Sequence, residues 1–239
     1  MATISTHNGP ALGKKENSHT KNNEIFEVWK EEKLPKAYDR IFGNALIEFN
    51  AKQTRADKKI NSYLIKIKND EKKHTYYEMI VGIYGNIDRQ VSKKILKEFV
   101  DTWQDRNPNF ELIGAYYYAK DEEKPHVYID YIPVAHGYKR GLSTQNGLTK
   151  ALAEMGYETK SYHDTAQIQW IRVQNKELEE ICNSYGIDVE HPDREKKKHL
   201  DIDIYKATKR LEELNEEINK AKQELSRLQE QITATKGST

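Results

Sequence analysis

The stretch Tyr116 to Pro133, YYYAKDEEKPHVYIDYIP, constrains this chain more than any other, because two runs of β-forming residues flank a short charged turn. Alternate residues of a strand share a face, so His126, Tyr128 and Asp130 point one way while Val127, Ile129 and Tyr131 point the other. Tyr116 and Tyr118 share one face of the partner strand. Pairing of the two strands stands Tyr118, His126 and Tyr128 together on one surface, with Asp121 and Glu122 overhanging from the turn.

The remaining elements follow from periodicity. Ala2 to Thr6 reads as a short strand, followed by a polar arm that Gly9, Pro10 and Gly13 break. From Pro35, Tyr38, Ile41, Phe42, Ala45, Leu46 and Phe49 recur at helical spacing, and Pro35 suits a first turn. Tyr76 to Tyr84 alternates as a strand, with Glu78 on one face, and Val91 to Trp103 is an amphipathic helix. Leu148 to Met155 is a helix ended by Gly156. Residues 165–184 form a longer helix with Trp170 and Val173 on its buried stripe and Cys182 as a small core residue.

A chain of 239 residues holds one large domain and an appendage, and 36% hydrophobic beside 32% charged residues points to a solvated helix outside the core. The lone Cys182 forms no internal disulfide and fits a reducing cytoplasm. No apolar run has membrane-spanning length and the start lacks an apolar signal core, so the expectation is a soluble cytoplasmic protein without a membrane partner.

The appendage is legible. Ile204, Leu211, Ile218, Leu225 and Ile232 occupy heptad position a, and Ala207, Leu214, Ala221 and Leu228 position d, of a coiled-coil seam. About four heptads need a partner to be stable. That partner is a second copy, another protein or the chain's own globular part, and a homodimer is preferred.

Two basic regions stand out against a net charge of only +1. Lys52, Arg55, Lys58 and Lys59 follow the first helix; such a run either neutralises phosphates or is a solvated face. His136, Tyr138, Lys139 and Arg140 lie in a loop closed by Gly137 and Gly141, where cations beside an aromatic suit single-stranded DNA.

The Tyr116–Pro133 stretch resembles the metal-binding motif of the plasmid mobilisation and recombination (Mob/Pre) relaxases. That motif carries a histidine, an acidic turn and then Pro-His-hydrophobic-His. The resemblance continues through Ala37–Lys68, Tyr76–Gly85, Ile129–Tyr157 and Ala166–Trp170, and spans residues 1 to about 205. It implies a mainly antiparallel α/β (α+β) fold flanked by helices, a Mn²⁺ or Mg²⁺ cofactor in an active member, and single-stranded or hairpin DNA as partner.

The departures are specific. Tyr118 and Tyr128 stand where the family has histidines, leaving His126 and Asp121 at ligand positions. A phenol titrating near 10 is a poor ligand for these ions at neutral pH. The family's N-terminal His-Asn-x-Arg element is matched only by His7-Asn8-Gly9, and His19 overlies the following Glu-x-His-Ile-Asp element, so His7 and His19 are the catalytic candidates.

Three readings follow. The preferred one is a relaxase-derived DNA-binding protein of a mobile element that has lost cleavage and needs no cofactor. The others are an active metal-dependent relaxase and a protein-interaction module working through the coiled coil. The expected plan is a flexible arm over 1–24 with a short strand, a relaxase-like domain over 25–190, a charged linker over 191–201, a coiled coil over 202–233 and a disordered tail over 234–239.

Overall fold

The computed structural model describes residues 2–10, 27–119, 125–190 and three helical positions, Arg210, Leu214 and Ile218. It divides into units Met1–Glu190 and His191–Thr239. His19, Asp121, Glu122, the linker, the tail and seam positions Leu211, Leu225, Leu228 and Ile232 lie outside the described residues.

The first unit is built on an antiparallel sheet. Its strands are β1 (Ala2–Pro10), β2 (Glu27–Glu31), β3 (Tyr77–Gly85), β4 (Phe110–Tyr118), β5 (His126–Ala135) and β6 (Gln145–Asn146). The spatial order is β1-β3-β5-β4-β2, with β6 paired to the end of β5. The expected strand pair is thus β4 and β5, and β5 is central. The helices are α1 (Leu34–Ala51), α2 (Tyr63–Lys68), α3 (Arg89–Asp101), α4 (Trp103–Arg106), α5 (Leu148–Glu154) and α6 (Ala166–Ser184).

Strand alternation sorts β5 between two cores. Val127, Ile129 and Tyr131 pack with Leu96 and Phe99 of α3, Trp103 of α4 and Trp170 and Leu178 of α6. Tyr131 is the aromatic centre of that core, with ring centroids 4.7 Å from Phe110, 5.4 Å from Trp103 and 5.8 Å from Trp170. On the opposite face Ile132 and Val134 pack with Phe42 and Ala45 of α1 and Leu64 and Ile67 of α2. Asn146 ties that side together: its amide donates to the Tyr38 hydroxyl at 2.7 Å and to the His74 carbonyl at 2.9 Å. The half of this second face beyond Ile132 carries the candidate site.

Local signals explain most boundaries. Asp88 accepts from the backbone N–H groups of Gln90 and Val91, so α3 starts two residues before the periodicity does. Gly156, at φ +90°, follows α5 as the stop the sequence implied.

Two expectations need correction, and two elements were missed. β1 does not end at Thr6 but continues through Gly9 and Pro10; among the described residues its ladder is with β3, its outer side being bridged at Ala2 by Val189, and the edge position tolerates the proline at the far end. Val173 is 44% exposed, and α6 instead buries Ala166, Trp170, Gln174, Leu178 and Cys182. Gln174 is accepted there because its side-chain oxygen receives hydrogen bonds from Asn107 and Arg106. β2 and α2 were not anticipated; β2 is five residues long with a register shift between Val28 and Lys30, which erases a clean alternation.

Candidate nucleic-acid interface

The register of β3, β4 and β5 assembles the cluster that alternation implied. Tyr118 pairs directly with His126, and Tyr116 with Tyr128. The Tyr118 and His126 rings are stacked, 5.3 Å apart and 7° from parallel. Tyr128 closes a triangle edge-on to both, 5.0 Å from Tyr118 and 5.4 Å from His126. Tyr118 is buried, whereas His126 and Tyr128 are partly open.

Two carboxylates belong to the same face. Glu78 of β3 pairs in register with Asp130 of β5, and both are buried, at 7% and 1% exposure. Burial first, then the nearby Tyr128, Glu78 and Asp130, push the Tyr118 phenol up to about 12. It therefore stays neutral and protonated throughout the physiological range. On β1, the backbone of His7 pairs with Ile80, which pairs in turn with Tyr128. Asn8 belongs to the other face, where it accepts a hydrogen bond from the buried Tyr131 hydroxyl at 2.9 Å.

Among the described residues these side chains do not assemble a divalent-cation site; Asp121, an acidic position that the family resemblance implies, lies outside them. A Mn²⁺ or Mg²⁺ site needs several anionic or imidazole donors converging on one point. Here His126 is flanked by two phenols, one of them held in its protonated form. Among the described residues no group of three or more His, Cys, Asp or Glu side chains converges.

The second region lies at the other end of β5. Ten residues separate His126 from His136, which places the loop roughly 30 Å from the aromatic triangle at about 3.3 Å per residue. The loop is built from its anchors. Leu142 is buried, Tyr138 accepts Lys150 Nζ 5.2 Å from its ring centre, and the Gln145 amide donates to the carbonyls of Arg140 and Leu142. Gly137 and Gly141 make the reversals, at φ +66° and +78°. Lys139 and Arg140 remain exposed at the tip.

Glu154 holds the root of this loop. It accepts from the His136 backbone N–H at 2.8 Å, from Lys150 at 2.8 Å and from Asn109 at 2.8 Å, and pairs with His136 Nδ1 at 3.0 Å. Burial would raise its carboxyl, but the hydrogen bonds from Lys150 and His136 prevail and hold it at about 2. His136 and Tyr138 are therefore structural parts of the loop as well as candidate contacts.

The fold brings the first residue of the α1 basic run, Lys52, to the loop. Lys52 shares a groove of about 250 Å³ with Phe49, Gln53, Tyr138, Lys139 and Ser143. Lys58 and Lys59 are exposed on the turn after α1, while Arg55 is engaged with Asp57 at 2.7 Å. Sequence reasoning passed over Glu154 and Lys150. Their i,i+4 spacing announces a helix pair, but their contact with His136 depends on the loop folding back.

The described unit is thus a mixed α/β domain on an antiparallel sheet, with an aromatic and acidic cluster at one end of the central strand and a basic loop at the other. No family model and no curated protein matches the chain. Among solved structures it is similar to the MobM relaxase domain (MOBV; Mob_Pre) bound to 26-nucleotide pMV158 oriT DNA, with a TM-score of 0.44 and 12% identity, over 85% of this chain and 99% of that one. It is also similar to a structure described as the molecular basis of vancomycin resistance transfer in Staphylococcus aureus, with a TM-score of 0.39 and 11% identity, over 78% of this chain and 96% of that one. At these identities no residue role transfers from either structure.

Proposed function

We propose that the chain is a relaxase-derived DNA-binding protein that has lost strand cleavage and binds single-stranded or hairpin DNA of a mobile element in plasmid mobilisation or recombination. One observation carries the loss of cleavage: the positions matching two of the family's histidines, Tyr118 and Tyr128, are phenols packed on His126. Phenols at these positions supply neither the imidazoles nor the carboxylates that would hold an ion against the scissile phosphate. What the chain keeps is cationic. Lys52, Lys58, Lys59, Lys139 and Arg140 are exposed and supply sequence-independent phosphate contacts, with Arg55 contributing less because Asp57 holds it.

The tail supplies a second copy through the 202–233 seam. Leu214 and Ile218 are one turn apart, helical, and 41% and 48% exposed within the single chain, which suits residues awaiting a partner helix. Among the described residues no helix is long and apolar enough to cross a membrane. The reading places the protein in the cytoplasm with DNA as its partner.

The active reading has one point in its favour, the backbone register of His7 in the row of Ile80 and Tyr128. Labelled single-stranded and hairpin DNAs, with Mn²⁺ or with chelator and at two salt concentrations, separate the readings. Salt-sensitive binding without nicking is expected. Metal-dependent nicking that disappears in His126→Ala overturns the proposal, and absence of both binding and nicking moves the function to the coiled coil.

A further inference from the structure

The face that does not fit a metal has a chemistry of its own. We infer that the aromatic surface of β3, β4 and β5 takes a nucleobase of single-stranded DNA, stacked on Tyr128 beside His126, with its amino edge on the side of the face that carries Glu78 and Asp130. The inference rests on the DNA-binding reading and names which part of the strand this site receives.

The surface is built to lay rings flat. His126 and Tyr128 are partly open and backed by the buried Tyr118, so the cluster is braced rather than free to turn. Gly82, which pairs with His126, is overlaid by Tyr84: a Cβ there would meet the Tyr84 hydroxyl at 2.7 Å. Gly114, which pairs with Asp130, is overlaid by Tyr116, with a ring carbon 2.7 Å from the same imagined atom. Two glycines thus clear the sheet for tyrosine rings on either side of the triangle. Aromatic rings displayed on a sheet stack unpaired bases, and do so with little regard to sequence because every base has a π-face.

Charge decides between the parts of a nucleotide. A phosphate brought to this face lies over the buried carboxylates of Glu78 and Asp130 and is repelled by their field. The exocyclic amines of cytosine, adenine and guanine present partially positive N–H groups and are attracted by the same field. Phosphates are left to the cations of the distant loop and of the turn after α1, so a bound strand divides its base and backbone contacts between the two ends of β5.

The test uses the full chain and two single strands of equal length and charge, oligo(dC) and its abasic counterpart, with binding followed by fluorescence anisotropy. Wild type is expected to bind oligo(dC) on the order of tenfold tighter than the abasic strand, the worth of a stacked base. Tyr128→Leu is expected to abolish that ratio and Tyr128→Phe to keep it, with the salt dependence unchanged in both. Equal binding of the two strands by wild type overturns the inference and leaves the DNA-binding reading standing, and does so even if Tyr128→Leu fails to fold. A Tyr128→Leu variant that retains the ratio overturns it as well. No binding of either strand overturns both.

Discussion

Tyr118 and His126 face each other across β4 and β5 with their rings 5.3 Å apart and almost parallel. Directly opposed residues of an antiparallel pair have Cβ atoms about 5 Å apart, so the backbone still presents two side chains at a spacing from which imidazoles could share an ion.

Substitution should therefore create a metal site here. Tyr118→His with Tyr128→His gives three imidazoles on one face, two opposed across the strands and one two residues along. Calorimetric titration with Mn²⁺ is expected to show one site in the double variant and none in wild type. Saturable binding by wild type at the same concentrations would refute the claim that the present residues do not fit the ion.

The stability of the domain should depend on Asn107 more than its size suggests. Its side chain accepts from Trp170 Nε1 at 2.7 Å and donates to the Trp103 carbonyl at 3.0 Å, in full burial. Asn107→Ala leaves buried groups unsatisfied and is expected to cost about 2–3 kcal/mol in urea unfolding. Val173→Ala, on the exposed side of α6, should stay within about 0.5 kcal/mol.

How much of this was legible depended on range. Alternation in Tyr116–Pro133 gave the strand pair and the shared face, because a period of two needs only neighbouring residues. The α1 stripe was readable for the same reason. Gln174 was not, since its burial depends on Asn107, 67 residues away. Glu78 was visible only as a sheet-face residue; its pairing with Asp130 required the order β3-β5, which no local pattern encodes. The basic loop was recognised as cationic, but the anchoring of His136 by Glu154 is a return contact across 18 residues.

That anchor has a pH signature. The Glu154 carboxyl is held at about 2, below its ordinary value near 4.5. A depressed carboxylate contributes stability that is present above the unfolded-state value and is lost as pH falls from about 4.5 to about 2. Lys150 and His136 face solvent in part, so the contribution is discounted to about 1 kcal/mol. Glu154→Gln is expected to flatten the acid limb of thermal stability between about pH 4.5 and about pH 2, whereas neutralising an unrelated surface carboxylate changes that limb little. An unchanged acid limb would mean that the loop root carries no net charge coupling.

The last expectation separates the two ends of β5. Lys139 and Arg140 sit exposed on a loop braced by Leu142, Gln145 and Glu154, so removing either charge leaves the fold in place. Each alanine substitution should weaken binding of any single strand and lower the slope of log K against log salt by about 0.7, the counterion equivalent of one phosphate contact. Arg55→Ala, which removes a cation already paired with Asp57, should change the slope less. Tyr128→Leu should leave the slope alone and alter only the response to the presence of a base. If Lys139→Ala and Arg140→Ala instead keep the wild-type slope, the loop is not the backbone contact, and the phosphates must be met by the lysines that follow α1.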